Sequence, residues 1–247
     1  VYPSIPGYTN SINFWIGDLA EIAIKAVARG ERLLAKATVF AVSELSINYL
    51  TSRRHNLTLS PAPEALFLAS TSDTNIVTGP AYEALKEISR AAVAKGDEST
   101  AIRVSEAYQA IAIHTANLAV RAFREHSSPL TYSPIYYAVE CMKYAQSKGL
   151  DEVPFQTAAL LSNIAISAPK DIQDTDIHIP VIDGLCEIAV YLYVKRSFGL
   201  AEQINGYQFD ILAHMLKQRD YYFKDVLRHI LEKIELLAPL AIVNETI

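Results

Sequence analysis

Four glutamates recur at the same position of an internal repeat and are the clearest candidates for a binding site. Glu21, Glu87 and Glu140 each lie nine residues before a glycine, and Glu187 lies nine residues before Arg196. If the repeats stack, the four carboxylates form a line along one face of the molecule. Such a line suits a basic peptide or a cationic ligand, so we predict these glutamates as binding residues.

The alternative interpretation of these glutamates is surface ion pairing within each helix. Cations three or four residues away are common on helices, and each pair stabilises the helix by only a few tenths of a kcal/mol. The sequence offers such partners to three of the four glutamates: Lys25 to Glu21, Arg90 to Glu87 and Lys143 to Glu140. Glu187 has no cation at this spacing, so the two interpretations differ most there.

Acidic residues and histidines also come close together in three other places, listed here: Asp171, Asp174, Asp176 and His178; Asp210 and His214; Asp225 and His229. The first group lacks the glycine and closing glutamate of a calcium-binding loop, and aspartates are expected just before a helix. A four-residue spacing puts the members of each pair on one helical face, as a metal site or an acid–base pair requires. The charged side chains around His229 indicate a solvated surface instead. The sequence therefore predicts no metal site and no cofactor.

Catalytic signatures are missing from the chain. We find no Gly-x-Ser-x-Gly, no phosphate-binding loop, no dinucleotide-binding glycine pattern and no His-Glu-x-x-His. No catalytic residue is predicted, which favours a domain without catalytic activity. A helical enzyme or small-molecule sensor built from scattered residues stays open as an alternative.

Helix hairpins are the elements that must position the glutamates. Each unit begins with a helix that ends at Gly30, Gly96, Gly149 or Arg196, and glycine is the expected helix stop. Prolines precede the glutamates by six or seven residues in the last three units, which predicts a helix starting near each of them. The second helices are predicted at residues 31–50, 98–124, 151–167 and 199–217, and a last helix at 221–237.

The fold predicted from this pattern is all-α, because no stretch alternates apolar and polar residues for long. About four degenerate helix-hairpin repeats stack as a short solenoid or bundle, with a C-terminal capping helix. We predict one domain over residues 13–247, after a linker at residues 1–12. The glutamates are 66, 53 and 47 residues apart, so the repeat is irregular, and residues 57–78 look like an insertion with a short helix at 64–69.

Composition narrows the partners and the compartment. The net charge of −5 argues against a nucleic-acid partner. No charge-free run reaches the roughly 20 apolar residues of a membrane helix, so no segment is predicted to span a bilayer. The two cysteines, Cys141 and Cys186, lack Cys-x-x-Cys spacing and are predicted to be buried and reduced, which together with the absence of a signal peptide favours a cytoplasmic location.

Two family resemblances can be seen in the hairpin segments. The pattern Ala91-x4-Gly96-Asp97-x3-Ala101 resembles a tetratricopeptide-type hairpin, and Gly30 with Ala35 keeps the same offset, as does Arg196 with Ala201. This resemblance implies a helical-repeat architecture and the partner-binding role common in that class. Leu19-Ala-Glu-Ile-Ala-Ile-Lys-Ala26 is similar to the soluble part of some uncharacterised predicted bacterial membrane proteins. That second likeness implies a cytosolic regulatory domain attached to a membrane segment.

The function expected from the sequence is that of a protein–protein interaction or scaffold domain, with a protein or peptide as its partner. The regulatory domain of a membrane-attached parent and the helical ligand-binding sensor or enzyme are the alternatives. Self-association is expected to be compatible with each of them, because a short solenoid has two exposed ends.

Overall fold

The computed structural model describes the backbone of residues 6–57, 63–122, 128–167, 175–218 and 222–245. These residues form α-helices, a tight turn joins the two helices of each hairpin, and the described parts contain no strand. The helices are α1 (Pro6–Arg29), α2 (Arg32–Leu57), α3 (Pro63–Ala94), α4 (Glu98–Ala122), α5 (Ser128–Ser147), α6 (Glu152–Ser167), α7 (Thr175–Val194), α8 (Phe198–Gln218) and α9 (Phe223–Glu245). The all-α prediction is confirmed.

The four hairpin turns share one backbone geometry. Gly30, Gly96, Gly149 and Arg196 have positive φ angles of 75°, 68°, 75° and 60°. In each turn this residue's amide donates to the carbonyl three residues earlier, and the next amide donates to the carbonyl five residues earlier. This pair of bonds is the Schellman motif, which satisfies carbonyls at the end of a helix. The turn geometry thus shows that Arg196 is structurally equivalent to the three glycines.

The second helix of each hairpin starts directly after this motif. The carbonyls of Glu31, Asp97, Asp151 and Ser197 each accept a hydrogen bond from the amide four residues later. Three of these residues follow the positive-φ residue at once, whereas Asp151 follows Gly149 after one extra residue. The extra residue explains why the third unit has a proline where the other three have alanine. Those alanines, Ala35, Ala101 and Ala201, are fully buried.

The helices pack in two layers. The odd layer contains α1, α3, α5, α7 and α9 side by side, and the even layer contains α2, α4, α6 and α8. One core runs between the layers from Ile12 on α1 to Ile230 on α9. A second, smaller cluster lies at the turn end of the first three hairpins and includes Ala26, Ala92 and Ala145. Every unit therefore stacks on its neighbours through both of its helices.

Three local predictions differ from the structure. Pro80, Pro134 and Pro180 lie inside α3, α5 and α7 instead of in their first turns. Residues 63–94 form one continuous helix, so the predicted short helix at 64–69 is part of α3. α1 begins at Pro6, inside the segment predicted as a linker. Local helix-start signals predicted these boundaries too late, because the helices continue toward the N-terminus beyond the prolines.

Two helical segments are long and apolar enough to cross a bilayer, judged by length and composition alone. They are residues 32–51, of which 44% are buried in the fold, and residues 177–194, of which 56% are buried. Each of the two segments contains charged residues, so neither is a charge-free run of about 20 apolar residues, and the expectation that no segment spans a bilayer stays a prediction. Core helices of water-soluble proteins also meet the criterion of length and composition, so the finding is weak support for a membrane span.

Candidate functional site

The odd layer carries the four predicted glutamates at equivalent positions of α1, α3, α5 and α7. Glu21, Glu87 and Glu187 are exposed, with 65%, 54% and 44% of their side-chain surface accessible, and Glu140 is half-buried. Because these helices pack side by side and each glutamate points away from the core, the four lie on the outer face of the odd layer. We call this surface the glutamate face.

Two of the glutamates have the local partners that the sequence offers. Lys25 Nζ forms an ion pair with Glu21 Oε1, and this hydrogen bond lowers the pKa of the Glu21 carboxyl. Arg90 Nη1 lies 3.1 Å from Glu87 Oε1. Both pairs are exposed, so each contributes little to stability and exchanges readily with another ligand.

The other two glutamates have partners that the sequence did not indicate. Tyr136 donates its hydroxyl to Glu140 Oε1 at 3.0 Å. Lys143 Nζ lies 2.8 Å from Glu187 Oε2, so this lysine joins α5 to α7. The predicted Lys143–Glu140 pair is therefore replaced by a contact between units, and Glu187 does have a cation beside it. Sequence spacing could not reveal this partner, which is 44 residues away.

A cluster of tyrosines lies next to the glutamate face, between α3, α4 and α5. Tyr137 donates its hydroxyl to Glu83 Oε1 at 2.7 Å, and Lys86 lies 5.2 Å from the centre of the Tyr137 ring. Burial, helped by the neighbouring Glu83 carboxylate, raises the pKa of Tyr137 to about 12. The fully buried Tyr108 donates to the Tyr82 carbonyl at 2.7 Å. The Tyr137–Glu83 bond joins neighbouring units and the Tyr108–Tyr82 bond joins the two helices of one hairpin, so the cluster is chiefly a packing feature.

His229 forms a contact between helices instead of the predicted pair with Asp225. His229 Nε2 lies 2.9 Å from Asp183 Oδ1 on α7, and Lys233 Nζ lies 2.7 Å from the same oxygen. The hydrogen bond from Lys233 raises the pKa of that amine. Asp225 pairs with Arg228 at 3.5 Å. These contacts attach α9 to α7, and they give the site a structural role.

The other candidate metal ligands do not converge in the part of the chain that the structure describes. His178 is buried in α7, whereas the side chains of Asp171, Asp174 and Asp176 lie outside the described residues. No hydrogen bond joins Asp210 to His214. Among the described side chains, no group of three or more histidines, cysteines, aspartates or glutamates is placed to hold a metal ion.

An open groove of about 380 Å³ lies between α2 and α4, on the even layer. It is lined by Lys36, Ala37, Phe40, Arg103 and Glu106. The Arg103 guanidinium lies 5.5 Å from the centre of the exposed Phe40 ring and 2.6 Å from a Glu106 oxygen. Sequence analysis missed this groove, because its two walls come from separate hairpins and neither wall carries a motif.

Comparison with known proteins supports the fold and gives no family. No family model matches the chain, and no curated protein matches it. Among solved structures, the chain is similar to a "circular tandem repeat protein with novel repeat topology and enhanced subunit contact surfaces", with a TM-score of 0.53 and 18% identity. The match covers 95% of this chain and 54% of the other, so the chain spans about half the length of that protein. Our chain is thus an all-α protein of stacked helical repeats, similar in fold to a tandem repeat protein.

Proposed function

We propose that this protein is a non-catalytic interaction domain that binds a basic segment of a protein partner on the glutamate face. The observation that carries the proposal is the placement of Glu21, Glu87, Glu140 and Glu187 on successive helices of one layer, all reachable from solvent. A stack of hairpins presents equivalent residues at a regular rise, which suits an extended partner.

The existing ion pairs shape what such a partner must do. An incoming lysine or arginine has to replace Lys25 or Arg90, or bind the second carboxylate oxygen beside them. Exposed pairs contribute so little that this exchange is nearly free of cost. Tyr136, which is 47% exposed and bonded to Glu140, adds an aromatic surface for the aliphatic stem of a cation.

Two likenesses support a binding role for stacked hairpins. The offset between the turn glycine and the buried alanine resembles that of tetratricopeptide-type hairpins, a class of partner-binding repeats. The similar solved structure is described as having enhanced subunit contact surfaces.

The two buried, unpaired cysteines, whose pKa values burial raises to about 11, support our placement of the protein in the cytoplasm.

Charge reversal tests the proposal. We would measure binding of a fluorescent lysine-rich peptide by anisotropy to the wild type and to Glu87→Lys/Glu140→Lys. We expect a loss of at least tenfold in affinity, because two attractive contacts become repulsive.

A matched control separates the glutamate face from net charge. Glu152→Lys/Glu202→Lys makes the same change of charge on two exposed residues of the even layer. Binding lost in the first variant and kept in the control supports the proposal. Equal losses in both variants, or no binding by the wild type in low salt, would reject the glutamate face as the site.

A further inference from the structure

The N-terminal end of the solenoid exposes a set of apolar side chains, which we call the leading end. On α1, Trp15 is 58% and Ile22 is 44% exposed, and on α2, Leu34 is 45% exposed. Ala41 and Leu45 beside them are half-buried. Exposed apolar residues that form a contiguous patch indicate an interaction site.

The repeat register shows what kind of surface the leading end is. Ile22 is equivalent to Ile88, Cys141 and Ile188, which are 0%, 2% and 0% exposed because the preceding hairpin covers them. Trp15 is likewise equivalent to the fully buried Ala81 and Val181. The leading end therefore has the apolar character of an internal interface between units, without a unit packed on it.

The other end of the stack, which we call the trailing end, is also apolar. Phe209 and Leu216 on α8 are 58% and 62% exposed, and Leu231 on α9 is 51% exposed. Helix α9 continues the odd layer in register: Val226 and Ile230 are buried as Val181 and Leu185 are, 45 residues earlier. In this register Leu231 on α9 is equivalent to Val139 on α5. Val139 contacts the next helix of the odd layer, α7, at Gly184.

Contacts between neighbouring units inside the stack show which residues of the two ends would meet if a second copy were added in the same register. Two of these predicted pairs have opposite charges. The Glu83–Tyr137 and Arg90–Tyr144 contacts both join α3 to α5. At the equivalent positions, the first contact places Arg228 of the trailing end against Asp18 of the leading end. The second contact places Glu235 against Lys25. Both of these continued pairs are attractive. The Lys143–Glu187 contact between α5 and α7, continued in the same way, brings Glu235 near Glu21, and Lys25 lies beside both carboxylates.

We propose that a second copy of this chain packs its trailing end on the leading end, as if it were the preceding unit. Each copy then buries Trp15 and Ile22 on α1 against Leu231 on α9 of the next copy. A contact between two different surfaces leaves one of each free, so assembly continues until a ring closes or a filament grows. The proposal goes beyond the proposed function, because its apolar contacts lie at the ends of the stack and not on the glutamate face.

Trp15, the only tryptophan in the chain, reports the contact directly. As the concentration of the full-length protein is raised, we expect the tryptophan emission to shift to the blue. The mass measured by light scattering should rise over the same range of concentrations. Ile22→Glu and Leu231→Glu should each remove both signals, since each blocks one end. A wild type that stays monomeric up to about 100 µM would overturn the proposal. The same result is expected if another part of a longer natural chain covers the leading end, so that outcome also counts against the proposal.

Mixing the two blocked variants distinguishes this geometry from a symmetric dimer. Ile22→Glu keeps its trailing end and Leu231→Glu keeps its leading end, so the mixture should form one-to-one dimers that grow no further. Asp18→Arg alone should weaken association tenfold or more, and Asp18→Arg/Arg228→Asp should restore it. Association that survives Leu231→Glu but not Ile22→Glu would show two leading ends in contact and would overturn the proposal. The Glu87→Lys/Glu140→Lys variant should associate normally, so the two proposals fail independently.

Discussion

Arg196 has a backbone conformation that the three equivalent turns reserve for glycine. Its φ of 60° lies in the left-handed region, where the Cβ of an ordinary residue crowds the following carbonyl at a cost of about 1–2 kcal/mol. The chain accepts this strain because the Schellman bonds of the fourth hairpin require that conformation. Position 196 therefore stores strain that a single substitution can remove.

We expect Arg196→Gly to stabilise the protein by about 1 kcal/mol, since relief of strain exceeds the extra chain entropy of glycine in the unfolded state. Urea unfolding followed by circular dichroism measures the change. Lys195→Gly is the matched control, because Lys195 precedes the turn without a positive φ, and it should lose roughly 0.5–1 kcal/mol. Equal destabilisation by both substitutions would contradict the strain argument.

At the scale of the element, Gly184 lies where α7 closely approaches α5 and α6. A Cβ at this position of α7 would lie 2.8 Å from Val139 Cγ2 on α5 and 3.1 Å from Leu161 Cδ1 on α6. Valine in a helix is restricted to one main rotamer, so the Val139 methyl group cannot turn away. Gly184 is therefore fixed by packing, although glycine is a poor helix former.

Gly184→Ala should destabilise the protein by about 1–3 kcal/mol, because overpacking exceeds the gain in helix propensity of about 1 kcal/mol. The double variant Val139→Ala/Gly184→Ala should recover part of the loss that Val139→Ala causes alone. Gly206→Ala on α8 is the control: no atom lies within 4 Å of its added Cβ, and it should gain up to about 1 kcal/mol. Differential scanning calorimetry of the four variants and the wild type checks these signs.

Local signals in the sequence predicted the second helices well. The predicted start at residue 98 is the start of α4, because Asp97 caps the helix by accepting from the Thr100 amide and hydroxyl. The glycines of the hairpin turns likewise predicted where the first helices end, because glycine readily adopts the positive φ that follows a helix. Capping and turn signals involve residues no more than about four positions apart, so they can be identified from the sequence alone.

Contacts between units were beyond the reach of those signals. Lys143 turns from Glu140 to Glu187 because α7 packs beside α5, and His229 turns from Asp225 to Asp183 because α9 packs beside α7. The prolines misled for a related reason: packing of the long helices outweighs the backbone hydrogen bond that each proline removes. The candidate glutamates could therefore be found from the sequence, but their partners and the two apolar ends could not.

At the scale of the whole molecule, each hairpin contacts only its neighbours, so stability depends on position in the stack. Central helices α4, α5 and α6 have packed neighbours on both sides, whereas α1 and α9 have a free side. In a one-dimensional stack, the free energy of opening is lowest for the terminal units. Opening should therefore start at the ends, where Trp15 and Leu231 are exposed.

Native-state hydrogen exchange read by mass spectrometry tests this view together with the end-to-end contact. In dilute protein, we expect α1 and α9 to exchange fastest and α4 to α6 slowest. Raising the concentration should protect α1 and α9 while leaving the central helices unchanged, because only the two end helices gain neighbours. The Ile22→Glu variant should keep the dilute pattern at every concentration. Uniform exchange along the chain would mean that the stack unfolds as one cooperative unit. Concentration-dependent protection confined to α3, α5 and α7 would mean that the copies associate through the glutamate face.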